Sequence, residues 1–349
     1  MMIARVGHTS TLLDDGTVLI TGGRNLLGVP LAGCEIYEPA SGTFTPTATM
    51  RVARDGHTAT LLPDGTVLII GGESLGGKVL KSTEIYEPSS GRFLPGPSLT
   101  HPRVNHTSTM LPNVTALIAG GQNDGGLLLE AKIYDFVTRT FTAAGRMVAA
   151  RANHTATLLA NGKVLIVGGE NIRQSGVHGN AYNGFADGPD ASSAPGAELY
   201  DIATREFTRC TSQLAGRNFH TATLLLNGTV LIAGSVSVNG SVLEEAFTYE
   251  PATDSFRLIT SGMSHPRANH TATLTQSNDV LLSGGFNTRG SLRSTEEYDP
   301  DADLFAPVGD MAIERSFHTA TLLRNGQILI VGGEDARGRA LDSAEVYRA

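Results

Sequence analysis

An arginine stands three residues before a histidine seven times along the chain: Arg5 and His8, Arg54 and His57, Arg103 and His106, Arg151 and His154, Arg217 and His220, Arg267 and His270, Arg315 and His318. A guanidinium carries a permanent charge and a rigid fork of donors that suits carboxylate or phosphate. An imidazole can pass protons near neutral pH. Gathered around one opening, such groups would hold a small anion and act on it. The repetition itself argues for scaffold, because seven facing cations repel one another unless each is neutralised. A glutamate precedes a tyrosine by two residues at Glu35, Glu84, Glu198, Glu296 and Glu345, so an internal Arg–Glu pair in each repeat is expected.

Departures from the repeat are the better candidates for binding. Lys132 and Phe247 stand where the glutamate is due, which leaves Arg103 and Arg217 as candidates to meet a ligand carboxylate or phosphate. The two positions between arginine and histidine also vary, and Asn105, Asn153 and Asn269 offer amides while Phe219 and Phe317 offer apolar contact. Three histidines, His101, His178 and His265, lie off the repeat, but His101 and His265 are too far apart around a ring to share an ion, so no metal site is expected. A long insertion over residues 171–196 carries His178 and Tyr182; a loop of that length is either functional or disordered, and it is a candidate contact loop or lid.

These residues are positioned by one recurring unit. His-Thr-x-Thr segments start at His8, His57, His106, His154, His220, His270 and His318, with spacings of 49, 49, 48, 66, 50 and 48 residues. In the second copy His57–Leu62 reads as a strand rich in β-formers, Pro63-Asp64-Gly65 as a hairpin turn, and Thr66–Ile70 as an apolar strand buried on two sides. Gly71-Gly72 closes it, the region around Tyr86 supplies a third strand, and the region around Phe93 a fourth. Four short strands per period of about 50 residues is the signature of a propeller blade. A lone sheet cannot hide two apolar faces, whereas blades packed in a closed ring do so. The expectation is an all-β, seven-bladed β-propeller of four-stranded antiparallel blades, one domain over 1–349.

The Arg-x-x-His-Thr-x-Thr segments, the glycine pairs from Gly22-Gly23 to Gly332-Gly333 and the tyrosines from Tyr37 to Tyr347 make the chain resemble a kelch-repeat propeller over essentially its whole length. The resemblance departs at the outer strand, where Phe44, Phe93, Phe141, Phe207, Phe256 and Phe305 replace the usual tryptophan, and at Gly234-Ser235, where the glycine pair is broken. It implies that the binding face is the one bearing the loop into the first strand and the loop between the second and third. Some relatives of this fold are copper radical oxidases like galactose oxidase, which need a tyrosine cross-linked to cysteine and two further histidines. Cys34 and Cys210 belong to no recognisable version of that motif and lie in non-adjacent blades, so neither a copper site nor a mutual disulfide is expected.

The last repeat stops at Tyr347-Arg348-Ala349, so the last blade is expected to lack its outer strand. Met1 falls four residues before Arg5, the position of Met50, Met147, Met263 and Met311 in their repeats. On that reading Met1 is an internal repeat residue and an upstream strand would complete the last blade. The protein would then be extracytoplasmic or secreted if the extension carried a signal, and otherwise cytoplasmic.

Composition sets outer limits. The net charge of −8 argues against a general nucleic-acid partner, and no apolar run is long enough to span a bilayer. There is no phosphate loop, no Gly-x-Ser-x-Gly and no His-Glu-x-x-His, and no cofactor is expected. The favoured function is a monomeric binding scaffold for a protein or carbohydrate. The alternative is a metal-independent isomerase or lyase that holds a small anionic molecule with Arg103 and Arg217.

Overall fold

The computed structural model describes residues 1–170, 196–237 and 239–348. Seven antiparallel sheets follow one another in chain order, the first six with four blade strands and the last with three, in a seven-bladed β-propeller. Blade two shows the unit: Thr58–Leu61 innermost, then Val67–Ile70, Thr83–Glu87 and Arg92–Pro95 at the rim. The three pairings run Thr58↔Ile70, Val67↔Tyr86 and Glu87↔Arg92 at one end of each register.

The second strand explains why its sequence is apolar without alternation. Val67, Leu68, Ile69 and Ile70 are all 0% exposed. Val67 and Ile69 pack with Leu13, Leu19 and Met50 of blade one, whereas Leu68 and Ile70 pack with Ala116, Ile118 and Tyr134 of blade three. Alternate side chains of one strand therefore fill two different seams, and each blade is stable only between neighbours. Tyrosine and phenylalanine of the third and fourth strands form tilted pairs in six blades, Tyr86 and Phe93 among them at 4.9 Å between centroids.

The ring closes through the seam between the last and first blades, where Val18, Ile20 and Tyr37 pack with Leu323, Leu329 and Val331. Backbone bonds Gly333 N to Arg5 O (3.0 Å) and Arg5 N to Leu341 O (3.1 Å) cross the same seam. The last blade consists of Thr319–Leu322, Ile328–Val331 and Ala344–Tyr347.

The glycine pair is a seam device. Gly71 has φ +60, and a Cβ there would lie 2.4 Å from the carbonyl oxygen of Arg103 in the next blade. Gly72 N donates to that same oxygen at 2.9 Å. Blade five keeps the corresponding bond, Ser235 N to Arg267 O at 3.0 Å, although Ser235 replaces the second glycine. There a bulge between Ala233 and Ser235 lets Val230–Ser237 run on as one strand of eight residues.

Candidate functional site

The seven arginines turn inward, beneath the loop face, and all lie at 0–2% exposure. Arg54 Nη1 donates to the carbonyls of Gly71 (2.7 Å) and Ser82 (3.2 Å), and Nη2 donates to Glu84 Oε1 (2.8 Å). Glu84 in turn accepts from the backbone of Arg51 (2.7 Å) and Val52 (3.1 Å). The guanidinium thus ties three loop segments of one blade together. Arg5, Arg151, Arg267 and Arg315 make the same pair with Glu35, Glu198, Glu296 and Glu345 at 2.5–2.8 Å.

The two candidate ligand-binding arginines are equally enclosed. Arg103 faces Glu130, two residues before the expected position, at 3.5 Å. Glu130 also accepts from Lys132 Nζ (2.7 Å) and meets His101 Nδ1 (2.8 Å). Burial raises the Glu130 carboxyl, but the hydrogen bonds from Lys132 and His101 outweigh it and hold the group below its usual range. Arg217 has no carboxylate partner among the described residues; its guanidinium carbon sits 4.7 Å over the Phe247 ring. Burial pulls both arginines down to about 10, partly offset by Glu130 for Arg103 and by Glu245 for Arg217. Both stay cationic at neutral pH, and both lie where a ligand on the loop face does not reach them.

The repeat histidines staple blade to blade. His57 Nε2 shares hydrogen bonds with Thr9 and Thr21 Oγ1 of blade one, both at 3.1 Å. The other six each meet a threonine of the preceding blade at 2.9–3.0 Å, including His8 with Thr319 across the closing seam. Burial, then the neighbouring arginine, pushes all seven far down, to about 3 for His57, His220 and His318. They are neutral at physiological pH, and the proton-transfer role considered for a mouth histidine has no support in this arrangement.

The residue before each histidine is different. Gly7, Gly56, Asn105, Asn153, Phe219, Asn269 and Phe317 all have left-handed backbones, with φ between 47 and 66°. Glycine and asparagine tolerate that region; phenylalanine does so at a cost. Backbone bonds link them around the axis: Asn153 N to Asn105 O, Asn105 N to Gly56 O, Asn269 N to Phe219 O, and Phe317 N to Asn269 O, at 2.9–3.2 Å. Asn105, Asn153, Asn269 and Phe219 surround an open cavity of about 280 Å³ at the channel mouth, with His57, His106, His154 and His220 also lining it. Four of the expected site residues therefore converge. Phe317 stays to one side, stacked on Phe286 at 6.1 Å and 15°, in a cluster with Phe219, Val236, Val242 and Ala268. His178 and Tyr182 lie outside the described residues.

One set of mouth residues escaped the sequence reading. The residue after each glycine pair bridges, backbone to backbone, to the residue after the repeat arginine: Asp55 to Glu73, Val104 to Gln122, Ala152 to Glu170, Ser316 to Glu334. Arg24 of this set reaches Asp55 at 2.7 Å. Asn153 Nδ2 donates to Glu170, whose carboxyl is raised by burial against the pull of that bond. Glu334 is likewise raised by burial, opposed by Arg24. The mouth thus carries phenylalanines on blades five to seven (Phe219, Phe286, Phe317), amides at Asn105, Asn153 and Asn269 on blades three, four and six, and carboxylates at Asp55, Glu170 and Glu334 on blades two, four and seven. The signal in the sequence was the variable residue just after each glycine pair.

No protein-family profile matches the chain, and no curated protein does. Among solved structures, a fungal alcohol oxidase of the AA5 family in complex with copper is similar, with a TM-score of 0.76 and 15% identity over 99% of this chain and 75% of that one. At that identity the likeness is one of fold alone. Among the described residues, no three His, Cys, Asp or Glu side chains gather closely enough to hold a metal ion. Cys210 packs with Tyr249 in the apolar seam of blades four and five. Both cysteine thiols are pushed up to about 12, chiefly by burial.

Proposed function

We propose that the protein is a kelch-type propeller acting as a binding module, which takes a carbohydrate or a protein segment on its loop face through the channel mouth. The observation that carries this reading is the convergence of Asn105, Asn153, Asn269 and the Phe219 ring on one open cavity. Amides there can exchange hydrogen bonds with hydroxyl groups, and an aromatic face can pack on the C–H face of a sugar ring or an apolar side chain. The Asn269 amide nitrogen is buried without a partner among the described residues, so a ligand oxygen would satisfy it.

An enzyme acting on a small anion is less well supported. Its cations are buried in the frame, its histidines are neutral, and the charged residues at the mouth are largely carboxylates. The test is a binding screen of neutral oligosaccharides, amine-bearing sugars and organic acids, followed by titration against Asn153→Ala and Phe219→Ala. Saturable binding of a sugar that both substitutions weaken supports the proposal. Tight binding of an organic acid that neither substitution disturbs overturns it.

A further inference from the structure

Apart from the mouth, the loop face carries an apolar cluster. Six of the fifteen exposed large apolar side chains among the described residues are Met2, Ile3, Leu26, Leu27, Val29 and Leu75, all in blades one and two. They lie in the segment leading into the first strand or in loops between second and third strands, so they share the loop face. Of the other nine, only Val148 lies in a loop-face connection; the rest sit on third or outer strands or in turns at the opposite rim. Leu26, Leu27 and Leu75 are 58%, 85% and 71% exposed. Single exposed leucines are ordinary, but such a concentration marks a contact surface.

Three features say what it contacts. First, the blade-one tip engages four of its own backbone donors. Asn25 Oδ1 accepts from Leu27 N (2.9 Å) and Val29 N (3.1 Å), Gly28 N donates to Asn25 O (3.0 Å), and Asn25 N donates to Val29 O (3.0 Å). A turn closed in this way can enter an apolar medium with little loss of hydrogen bonding to water. Second, the leucine loops are held side by side. Arg24 at the base of one reaches Asp55, and Asp55 exchanges backbone bonds of 2.8 and 2.9 Å with Glu73 at the base of the other.

Third, cations flank the leucines. Blade seven repeats the blade-one turn with Asp335 in the place of Asn25, accepting from Arg337 N and Arg339 N at 2.9 Å, and it presents Arg337 and Arg339 where blade one has Leu27 and Val29. Asp335 is buried under Arg339, which it meets at 2.6 Å with the arginine side chain 62% exposed. Lys78 is exposed beside Leu75, and residues 26–29, 75–79 and 336–339 contain no carboxylate.

We infer that these tips dock the propeller on an anionic phospholipid surface. Leu26, Leu27 and Leu75 enter the boundary of the acyl region, and Arg337, Arg339 and Lys78 meet the headgroups. Because the chain as a whole carries −8, general attraction to such a surface is unfavourable and contact must run through this sector.

The test is flotation of the purified chain with vesicles of phosphatidylcholine containing a quarter phosphatidylglycerol, and with pure phosphatidylcholine. The chain should float with the mixed vesicles. Leu27→Ser with Leu75→Ser should weaken binding about tenfold or more, and Arg337→Glu roughly fivefold, on the anionic vesicles only. All three side chains are exposed, so melting temperatures should not move. Failure of the wild-type chain to float, or flotation indifferent to the leucine substitutions, overturns the inference. So does a concentration-dependent dimer that the same double variant abolishes, since the patch would then belong to a second copy of the chain.

Discussion

Replacing Arg54 and Arg217 by methionine separates the frame role of the arginines from any role in binding. Arg54 makes three hydrogen bonds of 2.7–3.2 Å to Gly71 O, Ser82 O and Glu84 Oε1. Its loss leaves Glu84 buried with its charge uncompensated, which costs about 3–5 kcal/mol. At ~2.1 cal/mol/K per residue, a chain of 349 residues unfolding as one unit has a melting entropy of about 0.7 kcal/mol/K, so Arg54→Met should lower the melting temperature by about 4–7 °C. Arg217 has one long bond, Nε to Ala215 O at 3.4 Å, and its Nη1 has no partner among the described residues. Its removal forfeits a cation–π contact of about 0.5–2 kcal/mol and relieves a desolvated charge, so the net change should stay within about 1 kcal/mol, under 2 °C. Differential scanning calorimetry of both variants at pH 7.5 reads the contrast. Equal losses would refute the claim that a carboxylate partner decides what each arginine contributes.

Three further outcomes follow from the same geometry. The repeat histidines are neutral when folded, with His57, His220 and His318 at about 3, against an unfolded value of 6.5. The unfolded chain therefore binds more protons below 6.5, and stability falls as pH drops from 7 towards 3; between pH 7 and 5.5 each such histidine costs about 1 kcal/mol, visible as a steep drop in denaturant midpoint. Gly71→Ala would force a Cβ to 2.4 Å from Arg103 O at φ +60 and should destabilise by roughly 3 kcal/mol or more, whereas Ser235→Gly should change the urea midpoint little. Phe219→Asn relieves a left-handed phenylalanine at φ 58 and should hold or slightly raise the melting temperature while weakening ligand binding.

The blade count, the strand order and the three-stranded last blade were legible because each rests on local pattern repeated seven times. The convergence of Asn105, Asn153, Asn269 and Phe219 was legible too, since chain direction alone puts the residues before the histidines on one rim. The inward turn of the arginines was not. Strand direction fixes the rim but not whether a side chain faces solvent or the carbonyls left by Gly22 and its equivalents, and those carbonyls need donors. The partner of Arg103 was hidden because Glu130 stands two residues before the regular glutamate position, which Lys132 occupies in register opposite Ile118; side chains two apart on a strand share a face, so Glu130 meets the guanidinium from there at 3.5 Å. Residues such as Glu170 were overlooked because their pairing with Ala152 and its equivalents is a single isolated bridge with no strand-like pattern.

Titration calorimetry of a screened sugar against the wild-type chain, Asn153→Ala and Arg103→Met bears most directly on the division between frame and mouth. Asn153 lines the cavity and Arg103 is 0% exposed beneath it. The division predicts at least about a tenfold loss of affinity for Asn153→Ala, in protein that stays folded despite the lost bond to Glu170 and an alanine at φ 55, and unchanged affinity for Arg103→Met in protein that remains folded. Undiminished binding by Asn153→Ala, with binding lost in a folded Arg103→Met variant, would contradict it.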